Sequence, residues 1–162
     1  MYIRPTEKTD LKRIMEIYDF ARAFMQENGN PNQWIDGYPS EEFMLQEITA
    51  NHSFVCENEQ GELIGTFCFI IGEDPTYRQI ENGKWLNDNP YGTLHRIASN
   101  GRQKGLFHHC IEWCFKCCGN IRVDTHQDNV VMQSALTKDG FKECGIIYTT
   151  NGTPRIAYQK SL

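Results

Sequence analysis

Apolar residues recur at helical spacing in separate parts of the chain, and each such run predicts a helix. Start signals such as Ser40 and stop signals such as Gly140 bound these runs. The third run is apolar over most of its circumference, so we expect its helix to be largely covered by a sheet. The predicted helices begin at Thr9 or Asp10 (ending before Asn28), at Ser40, at about Gln103 (ending at Cys118), and at Asp128 or Asn129 (ending at Gly140).

Segments rich in β-branched and aromatic residues lie between the helical runs and predict strands. Turns at Gln60-Gly61 and Asn151-Gly152 join two pairs of them into hairpins. Because strands and helices alternate in the second half, we expect an α/β fold: a single mixed, mostly antiparallel twisted sheet of about six or seven strands with helices on both faces. The predicted strands cover Tyr2–Arg4, Ser53–Asn58, Glu62–Ile71, the apolar run from Tyr91, Ile121–Thr125, Phe141–Tyr148 and Pro154–Gln159.

Length and composition narrow the class of protein. The 162 residues fit one domain, 1–162, with one sizeable core. A net charge of −5 argues against a nucleic-acid or anionic-membrane surface. The first residues lack the apolar stretch of a signal peptide, and no run of about 18 apolar residues occurs, so we expect a cytoplasmic protein without a membrane partner. In that reducing compartment the seven cysteines should be free thiols.

The segment from Gly72 to Pro90 has no regular period and is expected to be a long loop. Loops of this length in compact domains are more often functional than idle. Trp85 and Tyr91 near its end are candidates for lining a substrate pocket, with simple loop anchoring as the alternative. Glu73 and Asp74 could receive a proton or bind a cationic amine, although solvated loop charge is the simpler interpretation.

The stretch from Ser99 to Phe107 predicts an anion-binding turn. A strand that breaks at small residues and restarts as a helix leaves several backbone N–H groups unpaired, with the helix dipole behind them. Such a turn is suited to a pyrophosphate.

This turn and the elements after it resemble the Gcn5-related N-acetyltransferase (GNAT) family. The family's mark here is [Gln/Arg]-x-x-Gly-x-[Gly/Ala], and the chain has Arg102-x-x-Gly105-x-Phe107, which matches two of the three positions. A strand, an Asn that opens a helix and a Gly-Phe pair follow in the family's order, at Ile121–Thr125, Asn129 and Gly140-Phe141. The N-terminal segment Ile3-Arg4-Pro5 also resembles the usual start of sequences in this family.

The resemblance implies the acyl-CoA N-acyltransferase fold and acetyl-CoA, or another acyl-CoA, as co-substrate. We expect no metal, because the adjacent His108 and His109 point to different sides of their helix. The resemblance also implies that the strand backbone near Ile97 pairs with the pantetheine arm, that amides of the turn bind the pyrophosphate, and that Asn129 contacts the cofactor arm. Because dimers are common in the family, it also allows a homodimer. The cofactor-binding residues carried over in this way are Ile97, Ala98, Ser99, Arg102, Gln103, Lys104, Gly105, Leu106, Phe107 and Asn129.

Two positions depart from the family pattern. Phe107 replaces a small residue, which would reshape the phosphate turn unless its side chain points into the core. Leu136 stands where many members have the tyrosine that protonates the leaving thiolate. Either Tyr148 or Cys144 takes over this step, or the thiolate leaves without help.

His95 and His126 are the catalytic candidates. His95 lies on the central strand two residues before Ile97, and a neutral imidazole is a natural acceptor for an ammonium proton. His126 follows a strand directly, at the edge where ligands gather in α/β sheets, and a surface or capping histidine is the alternative interpretation. Arg96 should face away from His95, because neighbouring strand residues alternate. Arg155 could bind a substrate carboxylate, although a sheet-edge charge is the simpler interpretation.

These observations together predict an N-acetyltransferase that moves an acetyl group from acetyl-CoA to a primary amine of a small molecule or peptide, by direct transfer in a ternary complex. The alternative is a catalytically inactive acyl-CoA-binding sensor or structural module, which the missing tyrosine favours and the histidines oppose. A thiol redox protein built on Cys114-x-x-Cys117 is a third and weaker hypothesis, because both cysteines lie within the predicted helix.

Overall fold

The computed structural model describes residues 1–162 and contains one seven-stranded sheet with four α-helices. Lys8–Asp10 and Pro75–Tyr77 add single 3₁₀ turns. The strands are β1 (Tyr2–Pro5), β2 (Ser53–Glu57), β3 (Leu63–Ile71), β4 (Gly92–Ser99), β5 (Asn120–Thr125), β6 (Lys142–Tyr148) and β7 (Pro154–Ser161). The helices are α1 (Leu11–Glu27), α2 (Glu41–Thr49), α3 (Leu106–Cys117) and α4 (Val130–Lys138).

The strands are arranged in the order β1-β2-β3-β4-β5-β7-β6, and every neighbouring pair except β4–β5 is antiparallel. This confirms the mixed, mostly antiparallel sheet expected from the sequence. The parallel contact arises because α3 carries the chain from the end of β4 back to the start of β5. The closing hairpin places β7, rather than β6, beside β5.

Helices cover both faces of the sheet, as expected. Alternation along the strands divides the apolar residues: Cys56 and Phe67 pack with α3 and α4, whereas Val55 and Cys68 pack with α1 and α2. On α3, Leu106, Cys110, Ile111 and Cys114 are all buried, whereas Cys117 is exposed, so the core packing expected of the helix cysteines holds for Cys110 and Cys114 only. None of the helices combines the length and apolarity that crossing a membrane requires.

Helix α3 begins three residues later than the sequence suggested. Gly105 precedes it with φ of +81°, a left-handed conformation that cannot continue an α-helix from Gln103. The residues from Gly101 to Gly105 therefore form an exposed turn of their own before the helix starts.

Strand β4 contains a bulge that the sequence analysis did not predict. Thr66 on β3 faces Ala98, whereas Cys68 faces His95, so β4 has one extra residue between these pairs. Arg96 adopts φ of +53° there, a conformation unusual for a residue with a side chain. The hydroxyl of Tyr18, a buried residue of α1, donates a hydrogen bond of 3.0 Å to the Arg96 carbonyl and holds the bulge.

The long loop between β3 and β4 is anchored to the far side of the sheet. Glu81 and Ile146 of β6 exchange two backbone hydrogen bonds, of 2.9 and 2.8 Å. Tyr77 and Tyr91 pack with Ile147 and Ala157 in a separate apolar cluster. The loop is therefore a fixed part of the fold.

Replacing Gly83 with alanine should destabilise this anchoring. A Cβ atom at Gly83 would lie 1.9 Å from the backbone oxygen of Cys144, so one of the two backbones would have to move. We expect Gly83→Ala to lower the free energy of unfolding by about 2 kcal/mol or more, measured by urea denaturation. The matched control is Gly119→Ala, whose Cβ would meet nothing within 4 Å and should not lower stability. Equal stability of the two variants would contradict the close contact.

Candidate active site

The divergence of β4 and β5 creates a large cavity. The two strands pair only at Gly92–Ile121 and Thr93–Arg122, and beyond these pairs they separate. A cavity of about 880 Å³ lies in this gap, lined by the later residues of both strands and by the loop after α1. Beyond Thr93, the edge of β4 that faces β5 has no ladder partner, so its backbone groups are open to a ligand.

The bulge brings both His95 and Arg96 to the cavity wall. The expectation that only one of them could face the cleft is wrong, because the left-handed residue interrupts the alternation of the strand. The Arg96 guanidinium donates to Glu47 (2.9 Å) and to the Tyr38 hydroxyl (3.1 Å). It also lies over the ring of Phe43. Arg96 is thus held by the protein and braces the wall.

His95 pairs with Asp74 in the cavity. Its Nε2 lies 3.2 Å from an Asp74 carboxylate oxygen, and both side chains are mostly buried. The other Asp74 oxygen accepts hydrogen bonds from the backbone and hydroxyl groups of Thr76. Burial opposes ionisation of Asp74, but the hydrogen bonds from His95 and Thr76 outweigh it and lower its pKa to about 2.

The interpretation of Glu73 and Asp74 as solvated loop charges holds for Glu73 alone. Glu73 is exposed and pairs with Arg78, whereas Asp74 points into the cavity wall. The difference arises because Tyr91 accepts a hydrogen bond of 2.8 Å from the Asp74 amide and fixes the loop there.

Asp124 supplies a second carboxylate to the cavity wall. It accepts a hydrogen bond of 2.6 Å from the hydroxyl of Tyr77, which is fully enclosed. Burial, reinforced by the negative charge of Asp124, raises the pKa of Tyr77 well above its usual value, so the phenol remains a donor. No motif marked this pair, because its partners are 47 residues apart in sequence.

Trp85 and Tyr91 do not line this cavity. They hold the guanidinium of Arg122 between their rings, each 4.1 Å from its carbon atom. Trp85 also donates a hydrogen bond to the Tyr77 carbonyl. Of the two interpretations left open by the sequence, the structure agrees with loop anchoring, and neither residue lines the pocket.

His126 also lies outside the cavity lining. Its Nδ1 accepts a hydrogen bond of 3.0 Å from the Asp128 amide, which uses the lone pair that a base would need on that nitrogen. Burial lowers the pKa of His126, and the nearby positive charge of Arg155 acts in the same direction. In this structure His126 shapes the turn before α4, and it is not adjacent to the pair formed by His95 and Asp74.

The turn before α3 has the unpaired donors expected of an anion site. The amides of Gln103, Lys104, Gly105, Leu106 and Phe107 make no hydrogen bond within the chain. Arg102 differs from the expectation, because its amide donates to the Asn100 side chain. Similarly, Ser99 uses its hydroxyl to accept from the Gly101 amide.

The remaining cofactor candidates are divided between core and cavity. Phe107 packs against the main core, so its size does not obstruct the turn, and Ala98 is buried against α1 and α2. Ile97 and Asn129 line the cavity. Asn129 caps α4 by accepting from the Met132 amide and donates to Gln33, a residue that the sequence analysis overlooked.

Neither candidate for protonating the leaving thiolate, Tyr148 or Cys144, lines the cavity. Leu136 is fully buried in the core. Tyr148 donates to Glu81 on the surface, and the Cys144 thiol bonds to the Lys142 carbonyl. Neither residue therefore stands in for the tyrosine that is missing at Leu136, and the tyrosine that does line the cavity, Tyr38, accepts a hydrogen bond from Arg96.

The lowered pKa of Asp74 predicts a pH-dependent contribution to stability. A carboxylate with a folded pKa of about 2 stabilises the fold above its unfolded pKa near 3.8, and this stabilisation is lost as the pH falls toward 2. We expect Asp74→Asn to be less stable than wild type by about 2 kcal/mol at pH 7, with the difference shrinking between pH 4 and pH 2. Urea unfolding across this range measures it. Asp88→Asn, an exposed loop change, is the control; a difference for Asp74→Asn that does not vary with pH would contradict the assignment.

We compared the sequence and the structure with those of known proteins. Neither a protein-family model nor a curated protein matches the sequence. Among solved structures, a GNAT-family acetyltransferase from Streptococcus agalactiae 2603 is 32% identical with a TM-score of 0.90, over 99% of this chain and 95% of that one. A GNAT-family acetyltransferase from Listeria monocytogenes is 22% identical with a TM-score of 0.74, over 99% and 94%.

A ribosomal-protein-alanine N-acetyltransferase from Brucella melitensis has the same fold, at 19% identity and a TM-score of 0.66 over the full length of both chains. The match to the streptococcal protein extends over nearly the whole of both chains at an identity that fold similarity alone does not require. On this evidence, and with the opened strand pair and amide-lined turn described above, the chain belongs to the GNAT family of acetyltransferases.

Proposed function

We propose that this acetyltransferase moves an acetyl group from acetyl-CoA to a primary amine, by direct transfer while both substrates are bound. The observation that carries the proposal is the pairing of His95 with Asp74 inside the cavity, beside the bulge where β4 leaves β5. When bound, acetyl-CoA supplies the acetyl group as a thioester that an uncharged amine can attack.

His95 is suited to remove the proton that makes an amine unreactive. Asp74 is ionised at neutral pH and can only accept, so Nε2 of His95 carries the ring proton and donates a hydrogen bond to Asp74. The other ring nitrogen of His95, Nδ1, therefore carries no proton and has a free lone pair, and no group of the chain donates a hydrogen bond to that nitrogen. Asp74 thus fixes the tautomer and stabilises the ring once it becomes positively charged.

The turn before α3 fits the phosphates of acetyl-CoA. Five successive amides without acceptors, at the start of a 12-residue helix, form a positively polarised surface. Gly105 contributes because its left-handed conformation turns the chain and nothing occupies the space beside its Cα. The Phe107 side chain lies in the core and does not interfere.

The chain offers no proton donor for the leaving thiolate at position 136. We propose that coenzyme A departs as the thiolate, which its modest basicity permits. The same absence is the observation that favours the alternative, an acyl-CoA-binding protein without catalytic activity. The buried His95–Asp74 pair favours the enzyme, because a sensor has no use for an oriented base in its acceptor cavity.

Removing the base should abolish turnover without affecting cofactor binding. We expect His95→Ala to lower kcat by about 10²- to 10⁴-fold while the Kd for acetyl-CoA stays unchanged. A thiol-release assay with a panel of primary amines measures turnover, and calorimetry measures binding. His109→Ala, a half-buried histidine of α3 outside the cavity, is the control. Wild-type protein that binds acetyl-CoA but acetylates no amine would favour the sensor.

The amide turn can be tested with two matched glycines. Gly105 and Gly61 have φ of +81° and +78°, and neither Cβ would meet an atom within 4 Å. Alanine at either site should therefore cost a similar backbone strain of about 1 kcal/mol. Only Gly105→Ala should also weaken acetyl-CoA binding, by about tenfold or more, because its Cβ would project from the phosphate surface. Equal affinities of the two variants, measured by calorimetry, would mean that the phosphates bind elsewhere.

A further inference from the structure

Two arginines in the interior of the protein have no carboxylate within 4.0 Å. One of them, Arg122, is explained by the fold, because the rings of Trp85 and Tyr91 enclose its guanidinium and Asn87 accepts one of its hydrogen bonds. The other is Arg155, which has no aromatic ring over it and no acidic partner.

Arg155 is only 8% exposed, yet the chain uses little of its hydrogen-bonding capacity. Its two terminal nitrogens donate weakly to backbone carbonyls, at 3.2 Å to Pro154 and 3.3 Å to Gln33. A guanidinium has five N–H donors, and burying its charge without a counter-ion is unfavourable. Burial accordingly lowers the pKa of Arg155, against the attraction of the more distant Asp124.

The position of Arg155 connects it to the reaction site. The sequence suggested a charge at a sheet edge, but β7 lies between β5 and β6, and Arg155 lines the same cavity as His95 and Asp124. It belongs to the wall formed by the start of β7, together with Thr149 and Thr150 from the preceding hairpin. The cavity therefore contains a carboxylate-bound imidazole on β4 and an uncompensated guanidinium on β7.

We propose that Arg155 binds a carboxylate of the acceptor, so that the substrate is an amino acid or another compound carrying both a primary amine and a carboxylate. The inference rests on the proposed function, since it names the substrate class of the same site. The planar guanidinium matches a carboxylate in a bidentate arrangement. The ammonium of such a compound is attracted by the carboxylates of Asp74 and Asp124, which line the same cavity.

The charges of the cavity favour one carboxylate over a more highly charged anion. Asp36, Asp74 and Asp124 all line it, whereas Arg155 is the only lining arginine without an acidic partner. A second negative charge on the ligand would face these carboxylates. A zwitterionic ligand, by contrast, compensates Arg155 and the acidic groups together.

The experiment compares each of the twenty standard amino acids with the amine that remains when its carboxyl group is removed. Calorimetry in the presence of coenzyme A measures binding, and thiol release from acetyl-CoA measures turnover. We expect at least one amino acid to bind about 10- to 100-fold more tightly than its amine counterpart. Dipeptides form a third arm, which distinguishes a free amino acid from the carboxylate of a short peptide.

The variant Arg155→Gln should abolish the preference for the amino acid over its amine counterpart, by raising the KM for the amino acid. The kcat for the decarboxylated amine and the Kd for acetyl-CoA should stay unchanged. The variant Arg155→Lys keeps the positive charge and should retain part of the preference for the amino acid. It also tests the proposal if the glutamine variant does not fold. Arg13→Gln, on the exposed face of α1, is the matched control and should behave as wild type.

The outcomes separate this inference from the proposed function. Equal binding of amino acids and their amine counterparts by wild type, no binding by any carboxylate-bearing compound, or a preference that survives Arg155→Gln each overturns the role of Arg155. In all three cases acetyl-CoA binding and acetylation of other amines would still support the enzyme. Failure of the wild type to bind acetyl-CoA would instead overturn the proposed function.

Discussion

The separation of β4 from β5 is the constraint on which the rest of the site depends. Two parallel pairs, at Gly92 and Thr93, hold the strands together, and then the ladder ends. A bulge centred on Arg96 bends β4 where it would otherwise continue alongside its neighbour. Its unusual conformation is maintained because Tyr18 holds the carbonyl and Glu47 holds the guanidinium. The protein thus uses buried helix residues to keep an open gap in its own sheet.

The elements of this fold could be predicted because their signals are local. The hairpin turns at Gly61 and Gly152, the helix cap at Ser40 and the β-branched and aromatic composition of β2 and β3 all depend on neighbouring residues. The anion turn could be predicted for the same reason, since a strand, a short polar segment and an apolar helix follow one another directly. The start of α3 was misplaced by three residues, because a glycine inside a polar segment does not reveal from sequence whether it continues or precedes a helix.

The chemistry of the site was harder to predict because it depends on distant contacts. His95 was a candidate, but its partner Asp74 is 21 residues away and is positioned by Tyr91 at the far end of the loop. The bulge has no sequence signal, since arginine is not a residue that usually adopts a left-handed conformation. Arg155 was assigned to a sheet edge because sequence does not specify that the last strand inserts between β5 and β6.

The distribution of charge in the cavity links stability to function. Arg4 and Arg96 are each bound to carboxylates, and Arg122 is enclosed by aromatic rings, so the fold compensates its other mostly buried cations. Leaving Arg155 without a counter-ion therefore sacrifices stability that a single acidic side chain could have restored. Residues that destabilise a fold in this way are concentrated where a ligand supplies the missing partner. The uncompensated guanidinium and the ionised Asp74 together describe the ligand that completes the cavity: one negative group near β7 and one positive group near β4.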